Sequence, residues 1–223
     1  MKKRTRTAAS KSTKRRRGGR VNRKAAPHRP SSVSHRASSE AKAEARRLKT
    51  QLKQALARIE ELEASANTDF LLEIPNRRGF ERELDRAISY IQRYHAGGTL
   101  IVVDVDRLKP INDGFGHAAG DQVLKAIVAA LSRQIRSSDF IGRLGGDEFA
   151  LLLWNLSDTD AHAKAVALER SIDALSFVFD GQTVTTGASA GVAVLGPHSQ
   201  ASRALEEADC AMYVRKAQRR HEV

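Results

Sequence analysis

Apolar side chains recur at Leu48, Leu52, Ala55, Ile59, Leu62 and Ala66, spaced alternately by four and three residues. That spacing is an a/d heptad seam, and no proline or glycine interrupts it. It predicts a helix over residues 39–66. The seam covers under three heptads, so it is either a short parallel dimerisation helix or a stripe packed on its own domain. The first is the expectation.

From residue 67 the periodicity changes. Residues 79–94 place apolar positions at helical spacing, and Gly97-Gly98 stops them. Residues 99–106, TLIVVDVD, form a short apolar run of the kind that makes a buried strand. A loop is expected next, then a helix over 119–136. Residues 140–144 and 148–154 read as two strands joined by a tight turn at Gly145-Gly146. Residues 158–175 read as a helix, 184–195 as a strand and 202–219 as a last helix. Helices alternating with strands around a hairpin predict an α/β (α+β) sandwich. Its central mixed β-sheet is flanked by helices and related to the ferredoxin-like split β-α-β plan.

Charge divides the chain further. The net charge is +12 over 223 residues, but residues 1–39 hold 14 of the 38 Lys and Arg and no Asp or Glu. The remainder, with 24 basic against 26 acidic residues, is nearly neutral. Residues 1–38 are Lys, Arg, Ser, Ala, Gly and Pro with almost nothing to bury, a composition that stays disordered. Such a basic tail is either an anchor for nucleic acid or an anionic membrane, or a solubilising extension. The expected organisation is a disordered tail over 1–38, a coiled-coil helix over 39–66 and a globular domain over 67–223. The single cysteine, Cys210, rules out an intramolecular disulfide framework and suits a reducing compartment, so the cytoplasm is the expected location. The longest uncharged apolar run, about eight residues around Leu151, is far short of the roughly 20 that span a bilayer.

The candidate chemistry lies in carboxylates. Asp104 and Asp106 stand two apart at the end of a hydrophobic strand, hence on one face. Asp147 and Glu148 sit at the hairpin turn. If the two strands are neighbours, three or four carboxylates converge at one sheet edge. Like charges that close need a cation, and oxygen-only donors favour Mg²⁺ or Mn²⁺, which also bind substrate phosphates. The bland alternative is a surface hairpin whose charges face water. Within the following loop, Lys109 could neutralise a phosphate, and Asn112, Asp113 and Asp121 could read the edge of a purine. Taken separately, Asn112-Asp113-Gly114 is an ordinary turn and Asp121 an ordinary helix cap.

These residues resemble a known family. Gly145-Gly146-Asp147-Glu148-Phe149 is the GGDEF signature of diguanylate cyclases. The segment DVDRLKPINDGFGHAAGD, residues 104–121, is similar to the family's metal and guanine segment. Asn76-Arg77 matches its "PNR" element, and Ala208-Asp209 to Arg220 its closing helix. The resemblance covers about residues 67–223. It implies a palm-like nucleotidyl cyclase fold and condensation of two GTP into cyclic di-GMP, with release of two pyrophosphates, between two domains that meet face to face in a homodimer. It implies that Asp104, the carbonyl of Val105, Asp147 and Glu148 hold Mg²⁺ (or Mn²⁺), and that Asp147 or Glu148 assists removal of the 3′-hydroxyl proton. Asn112 and Asp121 would read guanine, His117 would contact ribose or base, and Lys109, Lys216 and Arg220 would hold phosphates. Arg136 and Asp139, an Arg-x-x-Asp pair, would form an inhibitory product site. The alternative is a catalytically weak domain that senses cyclic di-GMP, or a regulator tethered to nucleic acid by the tail.

The chain departs from the family pattern in three places. Leu72 and Glu73 stand where Thr and Gly are usual, Leu108 replaces Phe, and Arg219 replaces the glycine before Arg220. The first puts a local turn in question, and the last puts phosphate gripping in question.

Overall fold

The computed structural model describes residues 32–222. The tail expected over 1–38 therefore lies, up to residue 31, outside the described residues. Helix α1 spans Ser32–Asn67, starting earlier than the expected residue 39. The chain divides within α1 into one unit ending at Leu52 and a second beginning at Lys53. Leu48, Leu52, Ile59 and Leu62 along its seam are each more than half exposed.

In the second unit, the elements after α1 follow in the order α2 (Arg77–Tyr94), β1 (Gly98–Asp106), α3 (Leu108–Phe115), α4 (His117–Gln134), β2 (Phe140–Gly145), β3 (Glu148–Trp154), α5 (Asp158–Asp173), β4 (Ser176–Phe179), β5 (Gln182–Thr185), β6 (Gly187–Leu195) and α6 (Ala201–Glu222). The sheet order β2-β3-β1-β6 is that of the split β-α-β plan. Every strand pairing in it is antiparallel, which corrects the mixed sheet expected from the sequence. β1 and β2 do run in the same direction, but β3 lies between them, so no parallel pair forms.

Burial on both faces explains why β1 is apolar from Leu100 to Val103. Leu100 and Val102 join Phe80, Leu84, Ile91 and Met212 in a core under α2 and α6. Ile101 and Val103 join Val123, Ile127, Leu131 and Leu168 in a second core under α4 and α5. Period two sends alternate side chains to opposite faces. Asp104 and Asp106 thus continue the α6-facing row of Leu100 and Val102.

Two further expectations are corrected. The loop expected after β1 is helix α3, followed by α4 from His117 rather than from residue 119. Leu108, Ile111 and Phe115 have helical spacing, and Pro110 falls in the first turn, where a missing N–H costs nothing. The strand expected over 184–195 is broken: Gln182–Thr185 folds back onto Ser176–Phe179 and β6 starts at Gly187. The turn between β4 and β5 is Asp180-Gly181, both at positive φ (50° and 77°), the Asp-Gly signature of a two-residue hairpin.

Candidate active site

The site begins where β1 ends. Asp104 pairs with Glu148 across β1–β3, and the Val105 N–H donates to the Asp147 carbonyl at 3.0 Å. The strand end and the Gly-Gly turn are thereby fastened side by side, as the sequence required for the carboxylates to converge. On the other side β6 closes the edge: Asp106 pairs with Gly187, and the Thr186 hydroxyl donates to the Asp106 carbonyl at 2.8 Å.

Arginines shape the turn. Arg143 donates from Nε and Nη2 to the Gly146 carbonyl (3.0 and 2.7 Å) and from Nη1 to Asp69 Oδ2 (2.9 Å). Asp69 in turn accepts the N–H groups of Leu71 and Leu72. Arg77 donates from Nε to the Leu144 carbonyl at 2.8 Å and sets Nη2 3.6 Å from Glu148 Oε2. Arg143 carried no expectation, although it opens the RLGGDEF stretch. Its role depends on Asp69, 74 residues away in sequence, which a local pattern does not reveal.

The electrostatics are those of crowded acids. Burial raises the Asp104 carboxyl above its ordinary range. Lys216 opposes the rise, and the charges of Asp147 and Asp106 add to it. Burial also raises Glu148, with Arg77 opposing and Asp104, Asp209 and Asp147 adding. The Lys216 ammonium answers this charge directly: it donates to Asp104 Oδ1 and lies 3.9 Å from Asp106 Oδ1. Among the described residues no three Asp, Glu, His or Cys side chains are gathered tightly enough to form a metal cage. The donors are nonetheless all oxygen, they raise one another, and a cation already sits against the most buried of them. That chemistry fits a hard divalent ion.

A cleft of about 500 Å³ opens beside the carboxylates, lined among others by Asp147, Lys109, Arg107, Lys216 and Arg220. Arg107, at φ 67°, turns the chain out of β1 into α3. Three of the expected phosphate contacts, Lys109, Lys216 and Arg220, thus share one wall system with Asp147. The purine-reading candidates lie on α3 and α4, joined at Gly116 (φ 82°). The Asn112 amide oxygen is buried without a hydrogen-bond partner. It packs on Gly120, where an added Cβ would lie 2.0 Å from it, so the amide rests on the turn that carries Asp121. His117 is exposed at the start of α4.

The Arg136–Asp139 pair lies at the opposite end of the hairpin. Asp139 accepts the Arg136 N–H at 2.9 Å and the Trp154 N–H at 3.3 Å, while the Arg136 side chain faces solvent. The Leu72-Glu73 departure leaves the turn intact: Glu73 takes the left-handed conformation (φ 56°) and donates its N–H to the Asp69 carbonyl.

The diguanylate cyclase GGDEF domain pattern matches residues 66–222. The chain belongs to that family. It is 41% identical over 170 residues to diguanylate cyclase TpbB of Pseudomonas aeruginosa (strain UCBPP-PA14), covering 74% of this chain and 39% of that protein. It is 35% identical over 159 residues to the probable diguanylate cyclase DgcE of Escherichia coli (strain K12), covering 71% of this chain and 14% of that protein. The chain therefore spans well under half the length of these relatives. The coiled coil and GGDEF domain of DgcB from Caulobacter crescentus, solved in complex with c-di-GMP, superposes with a TM-score of 0.66 at 26% identity, covering 84% of this chain and 96% of that one. Among the described residues no helix is long and apolar enough to cross a membrane.

Proposed function

We propose that this GGDEF domain is an active diguanylate cyclase. The observation that carries the reading is the fastening of the Asp147 turn to the β1 end, which sets Asp104 opposite Glu148 beside a cleft walled by Lys109, Lys216 and Arg220. In each of two steps a 3′-hydroxyl oxygen of one GTP bonds to the α-phosphorus of the other, the bond to pyrophosphate breaks, and the hydroxyl proton passes to a carboxylate oxygen of Glu148 or Asp147. Asp104, Asp147, Glu148 and the Val105 carbonyl would hold Mg²⁺ or Mn²⁺, which when bound supplies positive charge for the α-phosphate and the leaving pyrophosphate. Lys109, Lys216 and Arg220 hold phosphates. Asn112 and Asp121 read guanine, the Asn112 amide oxygen having no hydrogen-bond partner within the domain. His117 contacts ribose or base.

Each domain holds one GTP, so two copies act together. The exposed seam of α1 supports a parallel pairing helix. Product inhibition at Arg136 and Asp139 completes the reading.

The test is turnover of GTP by nucleotide-stripped protein with Mg²⁺, product resolved by chromatography, beside Asp147→Ala. This substitution keeps the backbone carbonyl that Val105 binds, so the fold should persist. Cyclic di-GMP from the wild type alone is the expected result. Equal product from both would refute the carboxylate assignment, and no product from a stripped dimer would refute the cyclase reading.

A further inference from the structure

Two stripes of α6, one residue apart, meet different neighbours. Lys216 and Arg220 border the cleft, and Arg219 reaches its edge. The guanidinium groups of Arg215 and Arg219, also four apart, engage acids of α5. Arg215 donates from Nε to Glu169 Oε1 and Oε2 (3.1 and 3.2 Å) and from Nη2 to Oε2 (3.0 Å). Arg219 places Nη1 3.4 Å from Glu169 Oε2 and donates from Nη2 to Asp173 Oδ1 at 2.8 Å. The two acids, themselves four apart, also close the outer edge of β6: Glu169 accepts the Ala190 N–H at 2.9 Å and Asp173 the Ala188 N–H at 3.3 Å.

This clamp and the Lys216–Asp104 ion pair hold the end of α6. Ala204, Ala208 and Met212 seat the helix on the sheet, and beyond Met212 none of its apolar side chains is buried. Successive helical residues stand 100° apart, so fixing Arg215 and Arg219 fixes the direction of Lys216 and Arg220. The Glu169 side chain is only 3% exposed, a charge tolerated in the interior because it is paired. The clamp also reaches the catalytic edge. A Cβ on Gly187 would lie 3.2 Å from Asp173 Oδ1, 3.4 Å from Arg219 Nη2 and 3.5 Å from Asp106 Oδ2.

We propose that Glu169 and Asp173 are positioning residues for nucleotide binding: through Arg215 and Arg219 they set the rotation of the last turns of α6 and so aim Lys216 and Arg220 at the substrate phosphates. The proposal rests on the cyclase reading of the cleft. Arg219, the departure that put phosphate gripping in question, is on this account part of the device that aims the grip.

The test is binding of a non-hydrolysable GTP analogue, measured by calorimetry on the dimer, for Arg215→Met/Arg219→Met in the wild-type and the Lys216→Ala/Arg220→Ala backgrounds. The expected result is about tenfold weaker binding in the first background and no further loss in the second, because a misaimed group costs affinity only where the group is present. Arg215→Lys/Arg219→Lys should recover part of the affinity. Equal losses in both backgrounds, or none in the first, would overturn the proposal. A wild type that binds no nucleotide would instead remove the cyclase reading on which it rests. Should the double substitution not fold, Arg219→Met alone gives the same comparison. It keeps the Glu169–Arg215 pair, removes only the longer Arg219 contact to Glu169 (3.4 Å), and otherwise strips a partner from Asp173, whose side chain is already 36% exposed.

Discussion

Lys216 and Asp104 form an ion pair across 112 residues of chain, joining the end of the first strand to the last helix. The pair does not fully compensate the acid. Burial raises the Asp104 carboxyl despite Lys216, so the folded protein at neutral pH holds a charge it would bind more tightly as the neutral acid.

Asp104→Asn should therefore trade function for stability. The neutral isostere removes the burial cost of the anion, so with chelator present at pH 7 the variant should melt above the wild type. A carboxylate whose folded pKa is raised destabilises above that pKa and ceases to do so below it. The advantage of the variant should thus shrink as pH falls through the folded pKa. Turnover should fall by about a thousandfold or more. Thermal melts across pH, beside a turnover assay, check both statements; a variant less stable at pH 7 would contradict the burial argument.

Gly120→Ala tests the purine contact. The new methyl would lie 2.0 Å from the Asn112 amide oxygen, so the amide must swing away. A site built to hydrogen-bond a base loses affinity and discrimination when one partner moves. KM for GTP should rise about tenfold while the preference for GTP over ITP, which lacks the exocyclic amine, falls. An unchanged preference would place guanine elsewhere.

Arg136 and Asp139 should separate under mutation. The Arg136 side chain faces solvent, so Arg136→Ala should leave the melting temperature unchanged and remove inhibition by cyclic di-GMP. Asp139 accepts two backbone N–H groups that hold the start of β2 against the end of β3. Asp139→Ala should remove inhibition and also cost about 1–2 kcal/mol. Melting curves with inhibition curves distinguish the two, and inhibition that persists in Arg136→Ala would reject the product site.

What the sequence revealed was governed by local patterns. β1, the hairpin and the four longest helices of the GGDEF domain showed in their periodicity. The juxtaposition of Asp104 with Glu148 followed once the strands were taken as neighbours. Helix α3 was hidden because Pro110, Asn112 and Gly114 suggest a loop, although Leu108, Ile111 and Phe115 keep helical spacing. The β4–β5 hairpin was hidden inside an apparently continuous strand, although Asp180-Gly181 marks its turn. The Glu169 clamp left no local trace. Arg215 and Arg219 lie 46 and 50 residues from Glu169, and although Arg219 departs from the family pattern, nothing near it in sequence points to its partner.

Glu73 offers the reverse of Asp104, a gain without loss. It holds φ 56° in the turn before α2, where a side chain is strained by about 1–2 kcal/mol relative to glycine. Its backbone N–H bond to Asp69 needs no side chain, and the described contacts of the carboxylate edge do not include it. Glu73→Gly relieves that strain but adds freedom to the unfolded chain, which offsets part of the gain. The net should be up to about 1 kcal/mol of stability, a rise in melting temperature of about 2–4 °C, with kcat and KM unchanged. A fall in melting temperature would mean that Glu73 contributes an attraction larger than its strain. A change in kcat would mean that the turn, which Asp69 and Arg143 tie to the Gly146 carbonyl, transmits its geometry to the catalytic loop.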